Sequence, residues 1–259
     1  MNRWVKRILI ALPILVVLFF GAILLYAKVL NDSPDALDEG DLSEAVAGAD
    51  TTAPDSATAT TADDASTPTV VAETATTAAT EATPDAAVDG TWTVTDESEF
   101  GYRVEEVLFG VNATAAGRGN EISGSMTIAG TTVTDAAFTV DVGSITSDES
   151  RRDNQFRGRI MSVDQFPEAT FTLTAPIDFG TVPAPAEQLT ATATGNLTLR
   201  GVTRPVSFDV TAESGEDRIG VLGSIPVQFA DYDIPNPSTG GITTEDNGLL
   251  EFILVFERA

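Results

Sequence analysis

The side chains best able to do chemistry in this chain are arginines and carboxylates, because it contains no histidine and no cysteine. Their absence removes the usual general base, the usual zinc ligand, thiolate nucleophiles and every Ser-His-Asp arrangement. No paired carboxylates stand out and no Gly-rich phosphate loop is visible, so the reading is of no catalytic residue, no cofactor and no metal. Asp231, Asp233, Glu245 and Asp246 lack the dense ligand spacing of a calcium loop and read as a solvated acidic loop. What remains is a cluster, Arg151, Arg152, Asp153 and Arg157. A guanidinium offers a rigid fork of donors to phosphate or carbonyl oxygens. Arg152 and Arg157 are therefore candidates for holding a polar head group, with surface pairing to Asp148, Glu149 and Asp153 as the alternative.

The cluster lies in residues 147–161 (SDESRRDNQFRGRIM), which read as one short helix capped by Ser147 or Asp148 and stopped at Gly158. Around it the chain alternates apolar and polar residues with period two. Ile122, Met126 and Ile128 show the pattern, as do Phe138, Val140 and Val142; it recurs at Phe171 and Leu173, at Val206, Phe208 and Val210, and at Ile225, Val227 and Phe229. Such alternation marks strands with one buried face. The last run, residues 249–256 (LLEFILVF), is apolar on both faces apart from Glu251, as in a strand covered on both sides. Eight or nine short strands in residues 90–259 predict an all-β antiparallel barrel or sandwich, with the helix over one end.

Ahead of this domain stand two segments of other character. Residues 8–27 (ILIALPILVVLFFGAILLYA) carry no charge and at about 1.5 Å per residue would span ~30 Å, a hydrocarbon core. Arg3, Lys6 and Arg7 precede the run and acids follow it, which predicts a transmembrane anchor within residues 1–30, with all that follows outside the cytoplasm. The alternative is a cleaved signal peptide, which would leave the domain secreted; its nearest cleavage match, Leu25-Tyr26-Ala27, is poor. Residues 31–89 are Ala, Thr, Asp, Pro and Glu with fourteen acids and no base. They are expected to form a disordered linker. The formal net charge of -25 disfavours nucleic acid as a partner.

Residues 195–206 (GNLTLRGVTRPV) closely resemble the G-D-L-T-L-x-G-V-T-K/R-P-V hallmark of the YceI-like family of lipocalin-like, polyisoprenoid-binding barrel proteins. Residues 90–94 (GTWTV) resemble the family's opening strand. Arg152-Asp153, followed by residues 166–171 (FPEATF), resembles its R-D … Y/F-P-x-A-x-F segment. The family often carries a His near the opening strand and another after the R-D pair; this chain has neither. The resemblance implies an antiparallel eight-stranded lipocalin-like barrel over 90–259, enclosing a long apolar tail.

On that reading the interior candidates are Phe100, Tyr102, Phe138, Phe156, Met161, Phe171, Phe208 and Phe229, with Arg152 and Arg157 at the mouth. Phe156 and Met161 lie on the segment suited to be a lid. The expected function is non-enzymatic binding of a long-chain isoprenoid or fatty-type lipid at the extracytoplasmic face, the membrane being held through the N-terminal helix. The same aromatics would equally fill a solid core, and the alternative function is then a structural or interaction module of the cell envelope.

Overall fold

The computed structural model describes residues 33–48 and 88–259, together with Leu18, Gly21 and Ala22. Twelve strand segments build one antiparallel sheet. In chain order they are β1 (Gly90–Val94), β2 (Glu99–Leu108), β3 (Val111–Gly119), β4 (Ile122–Ala129), β5 (Thr132–Asp141) and β6 (Glu168–Ala175). They continue with β7 (Ile177–Asp178), β8 (Gln188–Leu199), β9 (Val202–Ser214), β10 (Arg218–Gln228), β11 (Ile242–Thr244) and β12 (Asn247–Arg258). β1 and β2 are two halves of one stave, and β3 and β4 are two halves of the next. With β5, β6, β8, β9, β10 and β12 they make an eight-stranded barrel, while β7 and β11 are short additions paired to β5 and β2.

The ring closes through β12. On one side β12 pairs with β10 from Arg218↔Glu257 to Gln228↔Asn247. On the other its first half pairs with β2, as at Phe252↔Phe100, and its end pairs with β1, as at Arg258↔Trp92. Ser98 holds the kink between β1 and β2: its Oγ donates to the Val255 carbonyl at 3.3 Å and accepts the Val255 N–H at 2.9 Å. These bonds replace ladder partners that the kink removes.

One end of the barrel carries the β2–β3 and β8–β9 turns and the segment between β5 and β6. That segment contains a short helix, α2 (Ser150–Gln155), which runs into a single π-turn over Phe156–Ile160. The cap is Glu149, whose carboxylate accepts the Arg151 N–H at 3.2 Å, in place of the expected Ser147 or Asp148. Ser147 instead donates its N–H (2.9 Å) and its hydroxyl (2.7 Å) to the buried Asp153. Gly158 does not stop the helix; it lies inside the π-turn, and the segment ends at Ser162 in the left-handed region (φ 53°).

The stretch 31–89 does not match the expectation of uniform disorder. Residues 39–47 form helix α1 (Glu39–Ala47), opened by a reciprocal capping box: Asp38 accepts the Asp41 N–H at 3.1 Å, and Asp41 accepts the Asp38 N–H at 3.0 Å. Leu42 and Val46, one turn apart on α1, pack on the outer face of the wall against Ile253 and Val255 of β12 and Leu222 of β10. The close approach depends on Gly220, where an added Cβ would lie 2.3 Å from Val46 and 2.7 Å from Leu42. This explains why β12 is apolar on both faces: α1 covers it outside, and the barrel interior lies inside. The remainder of 31–89 falls outside the described residues, as does the expected transmembrane run at 8–27 except for the helical, exposed Leu18, Gly21 and Ala22. Among the described residues no helix is long and apolar enough to cross a membrane.

Glu251 ties this wall together. Buried beneath the segment that leads into α1, it pairs with Arg103 at 3.0 Å and Arg118 at 2.7 Å. The two guanidiniums in turn donate to the backbone carbonyls of Pro34 (2.8 Å) and Asp35 (2.9 Å). Removing one member of a buried ionic cluster leaves the others uncompensated. Glu251→Gln is expected to lower stability by about 3 kcal/mol, read by urea denaturation; an unchanged midpoint would contradict the structural role given to Glu251.

Candidate functional site

Alternate residues of each stave point inward, and together they do not fill the space they enclose. The interior holds a cavity of about 640 Å³, so it is not the solid core that the alternative sequence reading required. Phe100, Tyr102 and Val104 of β2 line it, as do Leu250, Phe252, Leu254 and Phe256 of β12. Most of the wall is aliphatic or aromatic. Its exposed lining residues, Phe109, Arg151, Thr239, Gly240 and Leu249, all lie at the end that carries α2, so the mouth is there.

All eight interior candidates read from the sequence line this cavity: Phe100, Tyr102, Phe138, Phe156, Met161, Phe171, Phe208 and Phe229. They are tied by ring contacts. Phe156 stacks on Tyr102 with centroids 4.8 Å apart and planes 16° apart, so the π-turn sits directly over the β2 wall. Phe208 meets Phe171 edge-on at 5.5 Å and Phe252 edge-on at 6.1 Å. Phe138 and Phe256 lie 5.8 Å apart. Among the lining side chains missed from sequence are Phe252 and Phe256, because a run apolar on both faces gives no period by which to pick the inward half.

The two arginines divide. Arg152 lines the mouth while its guanidinium pairs with Asp148. Arg157 is not among the lining residues; it donates to the Ile145 carbonyl at 3.1 Å and lies 3.8 Å from Asp153, holding the lid segment to the wall. Arg151, Glu149 and Glu106 complete the polar rim. Glu106 was not singled out in the sequence, where it is one acid among many; only its inward position on β2 distinguishes it. Burial pushes its carboxyl above the ordinary carboxylate range, opposed by the Arg152 guanidinium and reinforced by Asp148 and Glu105. Burial likewise pushes the Tyr102 phenol up to about 12, against the pull of Arg152. A neutral phenol, a carboxyl with raised affinity for its proton and two guanidiniums make a rim rich in donors.

The lid is fixed on its outgoing side by residues 195–206. They form the β8–β9 hairpin, whose two turn residues, Arg200 (φ 49°) and Gly201 (φ 77°), both take positive φ. Arg200 donates to the Asp233 carbonyl and, at 3.3 Å, to Ser162 Oγ, and it lies over the Phe166 ring at 5.9 Å. Gly201 lets that ring approach, since a Cβ there would lie 2.6 Å from it. On the far side of the mouth Arg159 donates to the carbonyls of Asn236 (3.2 Å) and Pro237 (3.0 Å).

Comparison with known proteins agrees with this geometry. The YceI-like domain model matches residues 92–256. The chain belongs to the YceI-like family. Among curated relatives it is 30% identical over 128 residues to a UPF0312 protein of Vibrio parahaemolyticus and 32% identical over 127 residues to one of a Shewanella species. Each match takes in 46% of this chain, and they span 64% and 63% of the two relatives' lengths. Among solved structures, a polyisoprenoid binding domain from Saccharophagus degradans, implicated in plant cell wall breakdown, superposes with a TM-score of 0.54 at 17% identity. That alignment covers 66% of this chain and 99% of that domain. At such identity the likeness establishes the YceI-like fold.

The Glu106 environment sets a pH dependence. Its folded pKa is raised, so the destabilisation it brings is absent below the unfolded carboxylate pKa, where both states are protonated. The cost develops as pH rises through the folded value. Glu106→Gln is therefore expected to match wild type in thermal melts at acidic pH and to exceed it at neutral pH. A variant that loses stability at neutral pH relative to wild type would refute this.

Proposed function

We propose that this YceI-like barrel is a non-enzymatic binder of a long-chain isoprenoid or similar amphiphilic lipid. The apolar tail lies in the cavity and the oxygen-bearing head at the rim of Tyr102, Glu106, Arg151 and Arg152. The observation that carries the reading is the apolar cavity of about 640 Å³ inside the barrel, with polar groups gathered at its mouth. That size lies within the usual range of small-molecule pockets, about 300–1,000 Å³. The name of the Saccharophagus domain, polyisoprenoid binding, supports the same ligand class.

The energetics favour a tail over a purely polar ligand. Each buried methylene contributes roughly 0.8 kcal/mol, so about ten of them contribute ~8 kcal/mol, the scale of micromolar binding before immobilisation costs. The aromatic walls suit a branched, unsaturated chain as well as a straight one. Residues 8–27 would hold the protein at the membrane, with the barrel on the extracytoplasmic side.

Ala136 and Ala193 are small, buried and face the cavity. Filling it through Ala136→Phe or Ala193→Phe is expected to abolish co-purification of lipid with the full-length chain in native mass spectrometry. The fold should survive, at an overpacking cost of about 1–3 kcal/mol. Wild-type protein that carries no lipid and takes up no prenyl alcohol or prenyl phosphate would overturn the proposal.

A further inference from the structure

The segment that leads into α1 crosses the outside of the barrel from one end to the other. At the mouth end, Ser33 donates to the Thr114 carbonyl on β3 at 2.7 Å, and Thr114 pairs with Glu105, four residues before the exposed β2–β3 tip at Phe109. At the opposite end, Gly48 packs against Arg218, the first residue of β10. Asp89 is bound at that same end: its carboxylate accepts the Gly130 N–H and its carbonyl accepts from Arg258, each at 2.6 Å. Gly48 and Asp89 thus both lie at the end remote from the mouth. The reach between the docked strap and the apolar run is set by the residues that precede Ser33.

What precedes it is short. Only residues 28–32 separate the apolar run ending at Ala27 from Ser33. Six peptide steps reach at most about 20 Å when fully extended. The 12-residue β12 runs the length of the wall, or ~40 Å at about 3.3 Å per residue. A barrel gripped at Ser33 therefore cannot turn its far end to a membrane in which residues 8–27 are embedded. The mouth end also carries the exposed apolar side chains of the domain: Phe109 is 52% exposed, Val107 38% and Leu249 38%. Exposed apolar groups gathered at one rim suit contact with a lipid surface.

We propose that residues 33–47 are a docking strap that holds the mouth of the cavity against the bilayer surface, with the Phe109 tip in contact with lipid. The strap's grip is the Leu42–Val46 ridge in its Gly220 seat, together with the two guanidiniums that hold the Pro34 and Asp35 carbonyls. This inference rests on residues 8–27 being embedded in the membrane; it does not depend on which lipid the cavity takes.

The cysteine-free chain permits single labelling. Fluorophores would be placed at Asn112→Cys, exposed beside the mouth, or at Glu216→Cys, exposed at the far end. The full-length protein would be reconstituted into phosphatidylcholine vesicles containing a nitroxide-headgroup lipid. Flotation reports the anchor separately from the quenching. The expected result is a floating protein quenched strongly at position 112 and weakly at 216. That difference should be lost when Leu42→Asp and Val46→Asp are combined, with flotation retained. The milder pair Leu42→Ala and Val46→Ala should shift the quenching in the same direction with native circular dichroism. Equal quenching at the two sites in floating wild type overturns the proposal, as does a difference that persists after the strap is broken in a folded variant. A chain that fails to float removes the anchor reading and the proposal together.

Discussion

Closure of the ring through β12 is the constraint on which the rest depends. One strand pairs on both edges, with β10 along its whole length and with β2 and then β1 on the other side. A closed antiparallel barrel has no free edge, and eight staves set an interior that side chains can just fill or that can hold one small ligand. Which of the two is realised follows from the side chains set inside: small residues such as Ala136 and Ala193 leave the cavity open, and the aromatic residues that line it meet one another as rings along a wall. The outer face of β12 is apolar apart from Glu251, and α1 covers it at Ile253 and Val255. A single strand therefore serves the cavity on one face and the seat of the strap on the other.

The mouth is assembled from parts distant in sequence. The π-turn stacks Phe156 on Tyr102 and leaves the segment's outgoing side to be caught by Arg200 and Gly201. The stretch of sequence that best marks the family thus works as a latch on the lid, through a turn that needs two positive φ angles and a ring packed on a glycine. Arg159 fastens the same lid to the loop after β10, where Asn236 binds the carbonyls of Thr244 and Glu245 and the Asp246 carboxylate. The polar rim sits within this scaffold, which is why its groups keep fixed neighbours.

Much of the architecture was legible in the sequence, because period-two alternation is a direct imprint of a wall with one greasy face. The inward aromatics at Phe138, Phe171, Phe208 and Phe229 could be picked by parity alone. Phe252 and Phe256 could not, since both parities of β12 are apolar for two separate reasons. Helix α1 was hidden for a different cause: it carries only Leu42 and Val46 as buried residues, in a stretch whose composition argues for disorder. Its one local sign was the Asp38…Asp41 capping box followed by apolar residues one turn apart. Glu106 and the role of Arg157 were invisible, because both follow from which neighbour a stave or lid brings alongside.

The single mouth has a consequence for traffic. A tunnel open at both ends would pass a ligand through, whereas here the exposed residues that line the cavity all lie at one end. A lipid bound as proposed would enter tail-first and leave head-first through that rim, so loading and unloading would be one path run in opposite directions. The giver and the receiver of the cargo would have to take turns at the same rim, and the order of their visits, not the shape of the barrel, would decide which way material flows.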